Sequence, residues 1–563
     1  MLDGDSGLTE GVMVGFSRLN SKQEDVQVQQ KEILGVSYDE NARWKKKTMY
    51  ARCGVGILTI ICTILMIALL LTFELHLACN SNNWTTSSNG RQSLDSAAKF
   101  LLFSDLHLDD FYDDSVGPDP TNCRMLGNYS KASYKAPYGR VDCDSPLTLI
   151  DSMLKAAKGI SQDYNFALMT GDFSAHKMDR PYFTNSTMPN RVLQNIALAV
   201  NSIRKEFPST PVFPILGNND LPGHYVLPLD ETWYNETLVL FAPLILCCGC
   251  PAEVPKPTSM DILEKTYLDG GYYSVNLTTK HGPIVLIVLN TMYWNVYAST
   301  GNPVIQAVAR RQMTWFHRQL KQAKINDQKV IIASHIAPGC VSILNLSMKC
   351  SKNIGSIIFY IIFYSFFRID PFNGASFWLS NYTDMYIKIV TGDYRNVVAG
   401  QFFAHIHKDD FHLQTEHVHM FSQSPANTSF AIFSPSVSPV YSNNPSFRVV
   451  YIDDEERALL DYDQYYLDLV MATEFNATNW QLSYRFSEHY PSSTPYINAD
   501  RIYELNQGLL NTTSDNIWLN YIFSRTVNYQ PGSYSRFQLY CAMRYVFDEG
   551  YQKCISKYNV PGG

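Results

Sequence analysis

The sequence lacks the excess of positive charge that marks proteins binding nucleic acids. It has 45 Lys and Arg against 52 Asp and Glu, a net charge of −7 over 563 residues. Residues 1–52 hold eight acidic and eight basic side chains, so the full −7 belongs to residues 53–563. Nucleic-acid surfaces collect Lys and Arg on one face, and this composition therefore implies no nucleic-acid partner.

The cysteines lack the arrangement of a structural zinc site. Cys247, Cys248 and Cys250 are close together, but no partnering Cys-x-x-Cys or His pair lies at zinc-site spacing. Ten of the twelve cysteines follow residue 73, as is usual for a chain that folds in an oxidising compartment. Disulfide pairing is therefore the simpler account of the cluster. Proximity along the chain predicts three further bridges, Cys123–Cys143, Cys340–Cys350 and Cys541–Cys554.

Charge is missing altogether from Cys53–Phe73, an apolar run long enough to cross a bilayer as a helix. Five Lys and Arg lie in residues 43–52, whereas none follows the run until Arg91, which places the N-terminal side in the cytosol. A cleaved signal peptide is the alternative, but such peptides total only ~15–30 residues, fewer than precede the run here. The sequence predicts a single-pass type II membrane protein with a cytosolic tail (1–52), a transmembrane helix (53–73) and a stalk (74–97).

No N-glycosylation sequon precedes this run, and ten follow it. A sequon is a signature of a surface loop in a secreted or luminal chain, so the asymmetry supports the same topology. Everything after Phe73 is expected outside the cell or in the lumen of an acidic endomembrane compartment. The sequon asparagines are Asn83, Asn128, Asn185, Asn235, Asn276, Asn345, Asn381, Asn427, Asn476 and Asn511.

From Ala98 the sequence alternates short β-like runs with helix-like stretches. The runs end repeatedly in Asp, Asn or His, as in KFLLFSDLHLDD, and stretches such as LTLIDSMLKAAKGI repeat apolar residues at helical spacing. This alternation indicates an α/β fold of layered sheets flanked by helices, with function at the strand ends. We assign residues 98–454 to this domain and the Tyr-rich, mainly helical residues 455–563 to a C-terminal subdomain.

One further apolar segment, Ile354–Phe367, is shorter than the ~17 residues needed to span a bilayer. Its density of Tyr and Phe suits contact with a membrane surface. A buried helix is an equally good interpretation, because periodicity does not separate the two for so short a run. A second span would also move His405 and His407 to the cytosol, although three sequons lie beyond them.

Five strand-end clusters carry side chains that bind metals. Just past a strand end the chain turns, so Asp-x-His and His-x-His pairs can direct both side chains into one pocket. Two divalent cations about 3.5 to 4 Å apart clamp a phosphoryl group and activate water. The mixture of carboxylate, amide and imidazole suits Zn, Mn or Fe, and we expect Zn. The candidate ligands are Asp105, His107, Asp172, Asn218, His335, His405 and His407.

In these clusters the sequence resembles the calcineurin-like metallophosphoesterase superfamily, whose ordered blocks are Asp-x-His, Gly-Asp, Gly-Asn-His-Asp or -Glu, His, and Gly-His-x-His. The segments CDSPLTLI, GGYYSV, LNTMYW and SPSVSPVYSNNPSFRVVYID are most similar to acid sphingomyelinase-like phosphodiesterases. The resemblance implies a metallophosphoesterase-type layered β-sandwich. It places Asp105, His107 and His407 on one metal, Asn218, His335 and His405 on the other, and Asp172 between them.

Three residues near these clusters are candidate catalytic residues. The resemblance implies that His176, four residues after Asp172, is the proton donor, since imidazole is largely cationic at acidic pH. Asn219 stands where most relatives have the His of Gly-Asn-His, and an amide does not transfer a proton at useful pH. His224, in NNDLPGHY, is near enough along the chain to contribute or is structural. Ala404 replaces the Gly of Gly-His-x-His, a mild departure.

Three functions are compatible with these residues. The first is a metal-dependent phosphoric ester hydrolase, a phosphodiesterase that cleaves a lipid headgroup or nucleotide by attack of metal-bound hydroxide. The second is an endopolyphosphatase, since the type II anchor and the Gly-Asn-Asn-Asp cluster resemble features of that branch. A polyanionic substrate needs a cationic groove, however, and the net charge gives no support for one. The third is a surface binding protein whose catalysis Asn219 has weakened. The intact ligand set favours an enzyme, and the C-terminal motifs favour the phosphodiesterase.

Overall fold

Two sheets of six strands each organise the described part of the chain. The computed structural model describes residues 93–558 except 120, 126–128, 179–187, 252–255, 278–281, 299–300, 340–376, 422–424, 514 and 531–534. The predicted cytosolic tail, transmembrane helix, Ile354–Phe367 and Cys340–Cys350 pair lie outside these residues. Across the residues that are described, every helix is too short or too polar to span a membrane.

Each sheet contains both parallel and antiparallel pairs of strands. In chain order they are β1 (Ala98–Phe103), β2 (Phe166–Met169), β3 (Val212–Pro214), β4 (Tyr273–Leu277), β5 (Ile284–Val288), β6 (Lys329–Ala333), β7 (Val398–Phe403), β8 (Asp410–Thr415), β9 (Thr428–Phe433), β10 (Ser446–Asp453), β11 (Ala458–Leu467) and β12 (Trp480–Arg485). The first sheet has the order β12-β11-β10-β1-β2-β3, and the second has the order β4-β5-β6-β7-β9-β8. Strands β1, β2 and β3 are parallel, as are β5, β6, β7 and β9.

Helices follow or precede most strands, as the alternating sequence pattern predicts. They are α1 (Leu147–Ile160), α2 (Met188–Glu206), α3 (Thr232–Ile245), α4 (Met260–Gly270), α5 (Pro303–Ile325), α6 (Ser380–Thr391), α7 (Leu469–Phe475), α8 (Phe486–His489), α9 (Ala499–Gly508), α10 (Asn516–Arg525), α11 (Arg536–Arg544) and α12 (Asp548–Lys557). The α/β class expected from the sequence is confirmed, and α1 coincides with the helix-like stretch LTLIDSMLKAAKGI.

Local sequence explains these elements. The buried residues of α1 are Leu149, Ile150, Met153, Leu154 and Ala157, a spacing that places one apolar stripe against the sheet. Strand β5 is buried at all five positions, as a strand is when both faces of its sheet are covered.

The two sheets pack against each other through close contacts between side chains. The ring of Phe100 on β1 stacks on Phe166 of β2 at 4.5 Å and meets the edge of Phe402 on β7 at 5.5 Å. A Cβ atom at Gly400 would lie 2.6 Å from Leu459 on β11, so glycine allows the sheets to approach here. The strand ends of both sheets are thereby brought near one another.

The C-terminal residues continue the first sheet before they become helical. Strands β11 and β12 add to β10, so the sheet crosses the sequence-predicted boundary at residues 454 and 455. After Arg485 the described residues form helices α8–α12. Disulfides link Cys123 to Cys143 and Cys541 to Cys554, which confirms both pairings, and Cys247 pairs with Cys250 within the central cluster.

Candidate metal centre

The seven candidate ligands all lie in turns that follow the carboxyl ends of strands. Because β1, β2 and β3 are parallel in one sheet and β6 and β7 in the other, each set of ends lies at one edge of its sheet. Side-chain contacts join the two edges. Asp105 and His107 follow β1, Asp172 follows β2, Asn218 follows β3, His335 follows β6, and His405 and His407 follow β7.

Asp105, His107 and His407 bring three ligand atoms to one point. Nε2 of His407 lies 3.0 Å from Nε2 of His107 and 3.3 Å from Oδ1 of Asp105. Nε2 of His107 is 3.8 Å from the same Asp105 oxygen. Metal–ligand bonds of about 2.0–2.2 Å place neighbouring ligand atoms roughly 3.0–3.6 Å apart. Two of the three separations fall in this range and the third is slightly longer, so the three side chains suit a cation between them.

A second group of ligand atoms adjoins the first through Asp172. Nε2 of His335 lies 3.1 Å from Oδ1 of Asn218 and 3.2 Å from Oδ2 of Asp172. That Asp172 oxygen is also 3.5 Å from Nε2 of His107, so it faces both groups. Asp172, His335 and His405 offer ligand atoms that all lie within 4.8 Å of one another. The carboxylate of Asp172 therefore links the two groups of candidate ligand atoms.

The orientation of two histidines is fixed by backbone carbonyls. Nδ1 of His107 donates to the carbonyl oxygen of Ser174 at 3.2 Å, and Nδ1 of His335 donates to that of Thr170 at 2.8 Å. Nε2 of each ring is then the nitrogen available to a metal. Oδ1 of Asp105 is buried and accepts no hydrogen bond from any described residue. The donor set and this unsatisfied oxygen fit a pair of divalent metal ions.

Burial and nearby charges shift the pKa values of the four ligand imidazoles in two opposite directions when no metal is bound. Burial lowers the pKa of His107, but the adjacent carboxylates of Asp105, Asp172 and Asp144 outweigh it and raise the pKa to about 9. Burial is likewise outweighed at His335, where Asp172 raises the pKa to about 9. Burial, together with cationic neighbours, holds the pKa of His405 and His407 well below its usual range. A metal binding here must displace the protons on the first two rings.

The ligand turns adopt a backbone conformation that side chains rarely take. Such left-handed residues cost of order 1–3 kcal/mol each and persist only where the surrounding structure enforces them. They cluster at functional sites, and here they coincide with five of the seven candidate ligands. The φ values are 49° for Asp105, 42° for His107, 59° for Asp172, 72° for His405 and 58° for His407.

Asp220, the last residue of the Gly-Asn-Asn-Asp cluster, holds two of these turns together. Its Oδ2 accepts from the backbone N–H of Asp172 at 2.8 Å and of Gly217 at 2.9 Å, and its Oδ1 accepts from those of Phe173 and Ser174. A Cβ at Gly217 would lie 2.0 Å from Oδ1 of Asp172, which requires glycine there. No local pattern in the sequence predicts this role, although Asp220 belongs to the Gly-Asn-Asn-Asp cluster.

His176 lies at the edge of the first group, where its ring stacks on that of His107 with centroids 4.0 Å apart. Asp144, fully buried, accepts from Nδ1 of His176 at 2.8 Å and from its backbone N–H at 2.7 Å. Nε2 lies 3.2 Å from the hydroxyl of Tyr441, a side chain 39% exposed. Burial and the neighbouring His107 lower the pKa of His176, and Asp144 opposes them. Asp144 and Tyr441 occur in motifs noted above, but no role is predicted for them from the sequence.

Asn219 and His224 lie on the side of the second group. The carboxamide Nδ2 of Asn219 donates to Oδ2 of Asp172 at 2.8 Å, and its backbone N–H donates to Oδ1 at 2.9 Å. Nε2 of His224 lies 3.0 Å from Nδ2 of Asn218, and the His224 side chain is exposed. The neighbouring Tyr225, with φ 61°, places its hydroxyl 3.3 Å from Nε2 of His405. Asn219 and His224 therefore each contact a candidate ligand. His224 is in addition exposed to solvent.

Comparison with known proteins matches two family models to the chain. Residues 98–409 match the calcineurin-like phosphoesterase model, and residues 423–561 match the acid sphingomyelin phosphodiesterase C-terminal region. Cyclic GMP-AMP phosphodiesterase SMPDL3A of Homo sapiens is 28% identical over 72% of this chain and 78% of its own length. Acid sphingomyelinase-like phosphodiesterase 3b of Homo sapiens is 26% identical over 81% and 90%, respectively. Among solved structures, a dimetal phosphatase from Danio rerio covers 65% of this chain and 95% of its own, with TM-score 0.34 and 11% identity.

Ligand turns from two packed sheets, a carboxylate facing both groups and a histidine at the edge define a metal-dependent phosphoesterase. The chain belongs to the calcineurin-like phosphoesterase family, whose model covers more than half of it. The resemblance found in the sequence is thus confirmed, and with it the assignment of the chain to the phosphoester hydrolases. A C-terminal region of the acid sphingomyelinase type follows the family domain.

Proposed function

We propose that this enzyme hydrolyses phosphodiesters, with a lipid headgroup or a nucleotide as the ester, at a centre that holds two metal ions. The observation that supports this most directly is the position of Asp172 Oδ2, within 3.5 Å of a histidine from each group. Asp105, His107 and His407 would hold one ion, Asn218, His335 and His405 would hold the other, and Asp172 would serve both. Zn fits these ligands well, and Mn or Fe are the alternatives.

The metals, when bound, supply an activated water and neutralise charge on the phosphoryl oxygens. The chain itself supplies the proton for the leaving group. As the bond between phosphorus and the departing oxygen breaks, Nε2 of His176 gives its proton to that oxygen. Asp144 holds Nδ1 of the same ring and stabilises the charged imidazole beforehand. Tyr441, beside Nε2, is partly exposed, so this side of the ring is open to a substrate.

Asn219 has a different part in this scheme. Its two hydrogen bonds to Asp172 hold the shared carboxylate in place, and its amide keeps its protons throughout. Proton donation therefore falls to His176 alone, with the exposed His224 positioned to bind a phosphoryl oxygen or water near Asn218. The replacement of the usual histidine by Asn219 therefore removes one possible proton donor and leaves His176 as the other.

Polyphosphate is the second candidate substrate, since Asn219 and the nearby His224 resemble the endopolyphosphatase branch. A polyanion needs uncommitted cations along its path. Near His176, however, Arg124 is paired with Asp109 at 2.8 Å, and Lys408 donates to the carbonyl oxygen of Tyr441 at 2.7 Å. These commitments favour a substrate with a single phosphodiester.

We expect full-length protein, stripped with chelator and reloaded with Zn or Mn, to regain hydrolysis of bis-p-nitrophenyl phosphate at mildly acidic pH. Sphingomyelin, cyclic GMP-AMP and long-chain polyphosphate are then compared at equal phosphorus concentration. The relatives named above make the first two the esters to try. We expect at least about tenfold higher kcat/KM on one of the diesters than on polyphosphate, about 1.4 kcal/mol of discrimination. Preference for polyphosphate would reverse our choice, and no activity with either metal would exclude the proposed centre.

We also propose that the enzyme is a type II membrane protein whose described residues lie in an acidic lumen or outside the cell, anchored by Cys53–Phe73 and aided at the membrane by Ile354–Phe367. Three disulfides and the exposure of all six described sequon asparagines support this. Microsomes from expressing cells should contain a protein whose mobility increases on treatment with an N-glycosidase. Protease added outside should remove only a short N-terminal piece. Digestion of the bulk of the chain in sealed microsomes would contradict this topology.

A further inference from the structure

Residues beyond the metal ligands fix the chain directly after His407. Asp409, two residues on, is 1% exposed and accepts hydrogen bonds on both carboxylate oxygens. One comes from the guanidinium of Arg448 on β10 and the other from the hydroxyl of Tyr484 on β12. Asp409 thus ties the turn after β7, in the second sheet, to two strands of the first sheet.

The next residue, Asp410, is held by helix α10 near the C-terminus. Its Oδ1 accepts from the hydroxyl of Tyr521 at 2.6 Å, and its Oδ2 accepts from Nε of Arg525 at 3.2 Å. The backbone N–H of Asp409 also donates to the carbonyl oxygen of Arg525 at 3.2 Å. Arg525 is fully buried, and Tyr521 is 1% exposed, so these bonds are shielded from water.

This anchoring adjoins the strained part of the turn. His405 and His407 both have left-handed backbone, which the surrounding structure must enforce. The turn gives one histidine to each group of ligands, so a small rotation of it would move a ligand in both. Tyr521 and Arg525 are distant in sequence and outside the residues that match the phosphoesterase model, yet they contact the turn from its far end.

We propose that Tyr521 and Arg525 are positioning residues for the metal centre. By binding Asp410 and Asp409 they keep the turn 404–410 in the conformation that aims His405 and His407 at the cations. The C-terminal region is therefore part of what retains the metals, and not merely a partner in the fold. This inference rests on the proposed two-metal centre.

The variant Tyr521→Phe tests the inference because it removes one hydroxyl and leaves the ring in place. We expect its dissociation constant for Zn, measured by competition with a chromogenic chelator, to rise about 10- to 100-fold, the usual range for groups that orient metal ligands. Metal content after dialysis should fall in parallel. Asp410→Asn, which keeps the shape and loses the charge facing Arg525, is expected to weaken binding at least as much.

Tyr490→Phe is the matched control. Tyr490 is also buried, and its hydroxyl lies 2.8 Å from Oγ of Ser524 on the same helix, but it has no hydrogen bond to the turn. We expect it to lower the melting temperature as Tyr521→Phe does while leaving the Zn dissociation constant within twofold of wild type. Equal Zn affinity in wild type and Tyr521→Phe, or equal losses in both Phe variants, would overturn the inference. Wild-type protein that binds no Zn would instead contradict the proposed metal centre itself.

Discussion

The Asp172→Asn variant should hydrolyse bis-p-nitrophenyl phosphate at least about a thousandfold more slowly than wild type, at any pH at which wild type is active. Burial disfavours the charged form of Asp172, but His335 and His107 outweigh it and hold its pKa well below the usual range. The carboxylate is therefore ionised even in an acidic compartment. An amide keeps the shape and loses the charge shared between two cations, a loss of ~4 kcal/mol or more in transition-state stabilisation.

The steady-state rate and the metal content should be measured together for this variant. We expect less than the wild-type amount of Zn per chain after dialysis, because an amide oxygen is a poorer ligand than a carboxylate oxygen. Asp269→Asn is a suitable control, since Asp269 pairs with Arg311 at the surface and has no contact with the ligand turns in the described structure. Its rate should stay within twofold of wild type. Turnover by Asp172→Asn close to that of the control would rule out the shared carboxylate.

Replacing His176 by glutamine should have an effect that depends on the leaving group. An alkoxide needs a proton as it departs, and losing a general acid costs about 10²- to 10⁴-fold in rate. A p-nitrophenolate leaves without one. We therefore expect kcat/KM to fall by that range for an alkyl diester such as sphingomyelin or a dinucleotide, whichever the wild type cleaves. The fall for bis-p-nitrophenyl phosphate should be less than about tenfold.

The position of His176 also permits a second role, as a metal ligand. Comparing the alkyl diester with bis-p-nitrophenyl phosphate distinguishes this role from proton donation. His176 lies within ligand distance of His107 and His407, so it could instead complete the coordination of the first metal. In that case both esters would lose activity equally and the metal content would fall. Asp144→Asn provides an intermediate case, because the imidazole stays while its orienting carboxylate becomes an amide. It should show the same dependence on the leaving group with a smaller amplitude.

The candidate ligands could be predicted from the sequence because the ends of buried strands can be predicted from it. Each of Asp105, Asp172 and His335 follows a short run of apolar residues typical of a buried strand, and parallel strands bring such ends to one edge. The helices between the strands could be predicted equally well, since α1 buries one stripe of apolar residues at helical spacing. The order of the clusters along the chain, together with their place at strand ends, then predicted that the seven side chains lie close together.

Other parts of the site depend on contacts that no local pattern encodes. Asp220 acts through four backbone N–H groups, whose directions are set by the conformation of two distant turns. The contacts of Asp410 with Tyr521 and Arg525 join residues more than a hundred positions apart. Strands β11 and β12 were missed because their Tyr-rich sequence, such as DYDQYYL, lacks the clear apolar alternation of a strand.

The separation of His107 from His407 along the chain, 300 residues, governs when the centre can form. During synthesis the first of the paired ligands emerges long before the second, and contacts of such high sequence separation are made late in folding. A cation held by both histidines can therefore bind only after the two sheets have come together. Its binding energy adds to the stability of the completed enzyme, so metal supply should determine how long the enzyme lasts more than whether it folds.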